Sequence, residues 1–121
     1  MSRRPNRPLT RPALANPALR KSVPVFAALG DETRLRLIAV LCAGGAMSIS
    51  QLTAGTDITR QAITKHLHVL ADAGLVHDVK VGRERQWQFE AVRLEEARHS
   101  LDVIAQQWDQ ALGRLKSVME R

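Results

Sequence analysis

Between Ser48 and Gly74 the sequence spells two helices with explicit starts and stops, separated by a turn that lets neither continue. The run Ser48-Ile49-Ser50-Gln51 has the form of a capping box, with Gln three residues after a Ser that can accept from its amide. Ile49 and Leu52 give that helix an apolar side, and Gly55 ends it. Thr59 caps a second helix over about 60–73, and Gly74 stands where a left-handed C-terminal residue is wanted. Two helices joined by a tight glycine-containing turn make a helix-turn-helix, and the rest of the chain has to be compatible with that unit.

At about 100° per residue the second helix is two-faced. Ile63, Leu67, Leu70, Ala62, Val69 and Ala73 fall on one broad arc; Arg60, Gln61, Thr64, Lys65, His68 and Asp72 fall on the other. The polar arc carries donors and acceptors long enough to reach base edges and phosphates, and its one acid sits at the far C-terminal end. That suits a helix inserted by its N-terminal half, where unpaired amides favour an anion. The alternative, a merely solvated surface, is weighed down by what flanks the helix. His66 falls on the buried arc and reads as a packed histidine bonded to backbone, whereas exposed His68 is a DNA-contact candidate.

After Gly74 the period changes. Leu75–Val81 and Arg85–Phe89 read as strands, Arg85, Trp87 and Phe89 alternating with Gln86 and Gln88, around a compact Gly82-Arg83-Glu84 hairpin turn. Lys80, Arg83 and Arg85 near its tip suit phosphates or a narrow minor groove; the alternative is a charged tip that avoids edge-to-edge pairing. Upstream, Ser22 is expected to cap a short helix with Pro24 in its first turn and Gly30 at its end. Asp31 is expected to cap a helix over about 32–43, with Leu35, Ile38, Leu41 and Cys42 facing the core and Arg34 and Arg36 pointing elsewhere. Downstream, Val92–Met119 contains no proline. Leu94, Ala97, Leu101, Ile104, Trp108, Ala111, Leu115 and Val118 give it one continuous apolar seam. A domain this small has too little core to cover so long a stripe, so a second copy is its expected cover.

Charge and composition then set limits. Of 18 basic residues, six lie in residues 1–22 with no acid; residues 23–121 hold the other 12 and all 12 acids, and sum to zero. Binding to nucleic acid must therefore follow from where charges sit, not from the net +6. All five prolines also fall before residue 25, so 1–21 reads as a disordered basic tail and 22–121 as the folded domain. The tail is either solubilising or an arm adding phosphate or minor-groove contacts. It has the arginines of a signal peptide without the apolar segment, which points to the cytoplasm. No apolar run is long enough to span a bilayer. One cysteine excludes a disulfide scaffold, and four aromatics are too few for a base-stacking RNA sheet. No phosphate loop, metal-ligand cluster or partnered nucleophile supports an enzyme, and no cofactor is expected.

Taken together and in order, Ala28-Leu29-Gly30-Asp31-Glu32-Thr33-Arg34-Leu35, Ile63-Thr64-Lys65-His66-Leu67-His68-Val69-Leu70, Ala73-Gly74-Leu75-Val76 and Gly82-Arg83-Glu84-Arg85 carry a family likeness. The chain resembles the ArsR/SmtB-type winged-helix transcriptional regulators over about residues 23–119. The resemblance implies a mainly α fold with a small β-hairpin, a winged helix-turn-helix that dimerises through its first and last helices. Phe26, Leu101, Ile104, Trp108, Leu112 and Leu115 would then lie at the dimer interface. It implies DNA contact by the third and fourth helices with the wing (about 80–86), and repression in most members. Many relatives carry Gln-Pro where this chain has Arg60-Gln61, which implies a different base preference. Ser48-Ile49-Ser50 stands where the family's thiol metal site has Cys-x-Cys, and serine hydroxyls are poor ligands for such metals. The last helix offers only His99 and Asp102, so metal sensing is not expected. The stretch Gln107-Trp108 through Arg114-Leu115 resembles the metal-less branch of the family.

The reading is a dimeric repressor binding a double-stranded, inverted-repeat operator. Thr59, Arg60, Gln61, Thr64, Lys65 and His68 would read bases and position the helix, and Arg83 and Arg85 would hold flanking phosphates. Two alternatives remain: a repressor switched by an unidentified small-molecule inducer or by Cys42, and a winged-helix protein-interaction module. Cys42 itself reads as a buried apolar residue.

Overall fold

The computed structural model describes residues 17–120. Five helices and a small sheet follow one another as α1 (Pro17–Leu29), α2 (Glu32–Gly44), β1 (Met47–Ser48), α3 (Ile49–Gly55), α4 (Arg60–Asp72), β2 (Val76–Val81), β3 (Glu84–Phe89) and α5 (Ala91–Met119). The strands form one antiparallel sheet in the order β1-β3-β2.

Local chemistry starts three of the helices where the sequence says they start. The Asp31 carboxylate accepts from the Arg34 amide, the Ser48 hydroxyl from Gln51 with the Gln51 side chain reciprocating, and the Thr59 hydroxyl from Ala62. The Arg34 amide's hydrogen bond holds the Asp31 carboxyl below the usual carboxylate range, so this cap is charged at neutral pH. At the other end of α4, Gly74 takes φ 79° and the Leu75 amide reaches back to the Leu70 carbonyl. Leu37, Leu41, Leu52, Ile63, Leu67, Leu70 and Leu75 are fully buried around the three-helix unit, with Trp87 closing it from the sheet.

The expected start of the first helix is wrong. Ser22 does not cap it: α1 begins five residues earlier at Pro17, and residues 17–21, assigned to the tail, are its first turns. Ser22 is buried mid-helix, its hydroxyl donating to the Ala18 carbonyl (2.9 Å) and meeting the Ser100 hydroxyl of α5 at 3.1 Å. Pro24 costs the helix interior about 3 kcal/mol. Burial of Val25 and Ala28, together with the buried Ser22–Ser100 contact, offsets it. The rest of the expected tail, residues 1–16, lies outside the described residues.

Two further expectations are corrected. On α2 the body-facing arc is Leu37, Ile38 and Leu41, whereas Leu35 is 52% exposed and Cys42 is exposed, both about 100° round the helix from the middle of that arc. On α4 Val69 is 40% exposed rather than part of the core face. The sheet also has a third strand: Met47 and Ser48 pair with Trp87 and Gln86. The hairpin turn is tighter than expected, because Glu84 already pairs with Val81 in β3 and leaves Gly82-Arg83 as the turn. Gly82 at φ 65° supplies the positive first turn residue that a right-twisted hairpin needs.

The helix α5 spans 29 residues, about 43 Å at 1.5 Å per residue, and α1, with 13, about 20 Å. Covered by α1, Ala97 and Ser100 are buried. Beyond them Leu101, Ile104, Trp108, Leu112, Leu115 and Val118 stand 43% to 63% exposed in steps of three and four. Among the described residues no helix is long and apolar enough to cross a membrane.

Candidate nucleic-acid interface

Ile63, Leu67 and Leu70 are wholly buried and fix α4 to the body by one face. The opposite face is presented as the sequence predicts: Thr59, Arg60, Gln61, Lys65 and His68 are exposed, and Thr64 is half-buried. Two hydroxyls are partly committed. Thr59 accepts from Ala62 in the cap, and Thr64 donates to the Arg60 carbonyl at 2.9 Å, which leaves Thr64 only an acceptor to offer. Gln61 and Lys65 have no partner among the described residues and project freely. The His68 ring lies 6.1 Å from the Trp87 ring, so the exposed face of α4 runs on directly to the base of the wing.

The wing carries its cations on the hairpin tip. Lys80 and Arg85 face each other across the ladder, a like-charge pair that Asp78 relieves by accepting from Arg85 Nε at 3.1 Å. Arg83, at the turn, has no partner among the described residues. The helix-turn-helix turn itself is held by the Thr56 hydroxyl, which donates to the Leu52 carbonyl and accepts from the Ile58 amide. The one acid in that turn is neutralised: Arg36 donates to Asp57 at 3.0 Å and holds its carboxyl below the usual carboxylate range. Residues 60–89 carry Arg60, Lys65, Lys80, Arg83 and Arg85 against Asp72, Asp78 and Glu84, a local +2 within residues 23–121, which sum to zero.

Sequence reasoning missed one residue that positions this face. Arg34 does not point away. Its Nε donates to the Ala28 carbonyl at 2.6 Å, closing the end of α1, and its NH1 lies 3.3 Å from His66 Nδ1 on α4. His66 therefore packs against side chains and not backbone as expected, with the Asp31 carboxylate 3.9 Å away. No periodicity could have flagged this, because Arg34 is one residue on an otherwise solvent-leaning part of α2. Arg34→Ala should strip the Ala28 carbonyl of its short partner and leave His66 unsupported. The expected cost is about 2 kcal/mol, read as a fall of roughly 10 °C in Tm at fixed protein concentration, with no rescue by Lys, which lacks the fork.

The expected dimer residues divide. Phe26 is half-buried and packs against its own core, whereas Leu101, Ile104, Trp108, Leu112 and Leu115 are uncovered. His99 and Asp102 are exposed on α5.

The comparisons with known proteins agree with this geometry. The signature of a helix-turn-helix domain matches residues 29–79. The uncharacterized HTH-type transcriptional regulator YuzN of Bacillus subtilis (strain 168) is 42% identical over 67 residues, which are 50% of this chain and 73% of that protein. An arsenical resistance operon repressor of the same organism is 36% identical over 58 residues, 48% of this chain and 55% of that protein. The solved structure of an ArsR-like transcriptional regulator from Rhodococcus sp. RHA1 superposes with a TM-score of 0.72 at 38% identity, over 82% of this chain and 92% of that one. The chain is a winged helix-turn-helix protein and belongs to the ArsR family of transcriptional regulators. It is a DNA-binding regulator of transcription.

Proposed function

We propose that the protein acts as a homodimeric repressor that places α4 of each protomer in a major groove of an inverted-repeat operator and lays the wings on the flanking backbone. The observation that carries this is the exposed Gln61-Lys65-His68 face of α4, continuous with the wing through the His68–Trp87 contact. Gln61 and Lys65, unpartnered and at the N-terminal half of the helix, are the base readers; a Gln amide matches adenine and a Lys ammonium matches guanine in the major groove. His68 reaches the same groove further along. Thr59 and Thr64 position the helix, and Arg83 and Arg85 hold phosphates. The uncovered α5 stripe supports the dimer, since an apolar surface of that extent is costly on a monomer. Occlusion of a promoter by the bound dimer is the mode of repression we infer, in keeping with the repressor among its relatives.

The test uses DNA fragments that co-purify with the protein, sequenced and then used as labelled duplexes. Arg83→Ala should weaken binding to selected and scrambled duplexes alike and flatten the salt dependence by about 0.9 per protomer. Gln61→Ala should instead cost about 1–3 kcal/mol on the selected duplex and little on the scrambled one. Equal losses on both duplexes for both variants would contradict the division between backbone and base contacts.

A further inference from the structure

Arg60 does not reach outward like Gln61 and Lys65. Its NH1 donates to the Ser50 hydroxyl of α3 at 3.1 Å. That contact closes one side of an open cleft of about 500 Å³ lined by Ser48, Ile49, Ser50, Arg60, Arg83, Glu84 and Arg85. Beside it β1 pairs Met47 and Ser48 with Trp87 and Gln86, which ties the start of α3 to the root of the wing. Three guanidinium groups face one cleft against a single carboxylate, Glu84, which already accepts from Gln86 Nε2 at 3.3 Å. Counting Asp78, which pairs with Arg85, the cleft keeps one uncompensated positive charge. Ser50 accepts from Arg60, so its own hydroxyl proton is left to donate.

We propose that this cleft seats one phosphodiester of the DNA strand bordering the recognition groove, with Arg60 and Arg83 as its guanidinium ligands and Ser50 as donor and as the group that orients Arg60. Arg60 is then a backbone ligand and not a base reader. The inference deepens the DNA-binding reading above and rests on it. A duplex carrying α4 in its major groove brings the bordering strand between the first turn of that helix and the wing tip, which is where the cleft opens. Guanidinium forks match phosphate oxygens bidentately, so an arginine drawn aside to this cleft loses its base and gains a phosphate.

The experiment measures affinity of wild type, Arg60→Ala, Arg60→Lys, Ser50→Ala and Gln61→Ala for the selected duplex, a panel of its single-base variants and a scrambled duplex, across salt concentrations. Arg60→Ala is expected to weaken all duplexes by a similar factor of about ten and to lower the salt slope by about 0.9 per protomer, with the base-preference profile unchanged. Arg60→Lys should keep the slope and recover part of the affinity; Ser50→Ala should lose about threefold, uniformly, with the slope intact. A selective loss at one base pair for Arg60→Ala, or an unchanged slope, overturns the proposal while leaving the DNA reading standing. Failure of the wild type to prefer any duplex strikes the operator-binding reading itself, and failure of Gln61→Ala to alter preference strikes its assignment as a base reader. Saturable binding of inorganic phosphate by the free protein at micromolar concentration, lost in Arg60→Ala, would show a small-anion site and also overturn the assignment to a DNA strand. Arg60 is exposed in the first helical turn, so an unchanged Tm is expected for its variants and checks that they fold.

Discussion

Replacing Trp108 and Leu115 together with glutamate is expected to give a folded monomer of 13.4 kDa whose operator affinity is lower by a factor on the order of 10³. Both side chains are more than half exposed in the single protomer, at 63% and 56%, so their loss removes no contact on which that protomer's fold depends. In the proposed dimer they are central, and a two-fold axis counts each change twice. Truncating a buried tryptophan costs about 3–5 kcal/mol, and adding a charge to the same surface costs more. Two such positions in each of two copies exceed what an interface of ordinary size can absorb. DNA affinity follows because one half-site bound by a monomer loses the effective concentration that tethering gives the second. Sedimentation equilibrium and circular dichroism read the two halves of the outcome. A persistent dimer would show that the α5 stripe is not its interface.

Leu67→Ala has the second largest expected effect, on stability and not on recognition. Leu67 is fully buried at the centre of the α4 face, between Ile63 and Leu70. Removing its isobutyl group leaves a cavity where helix, sheet and α2 meet, at about 3 kcal/mol, or roughly 15 °C in Tm. Leu67→Met, which keeps the volume, should cost under about 1.5 kcal/mol. Well below its lowered midpoint the alanine variant should still rank duplexes as the wild type does, since no DNA-facing group has changed. A reordered base preference would mean that α4 moves when its anchor is cut back, and that the exposed arc is not held rigidly.

These outcomes also mark how far the sequence reads. Asp31, Ser48 and Thr59 each begin a helix by bonding the amide three positions on, and such local chemistry is visible in four letters. The same holds for the exposed face of α4, fixed once its buried arc is known. What was hidden depends on partners far along the chain. Ser22 looks like a cap until Ser100 arrives from 78 positions away and buries it in a longer helix. Met47 and Ser48 become a strand only because Trp87 and Gln86 lie beside them. Leu37 takes the core place expected for Leu35 because the packing of α2, not its periodicity, chooses among three adjacent faces. The turning of Arg60 toward Ser50 and of Arg34 toward His66 belongs to the same class.

The most direct test of the account is a hydroxyl-radical footprint of the wild-type protein on a co-purified duplex. Two protected segments related by two-fold symmetry, their centres about 34 Å or one helical turn apart, are the predicted result. A single protected segment, or protection no different from that on scrambled DNA, would contradict it.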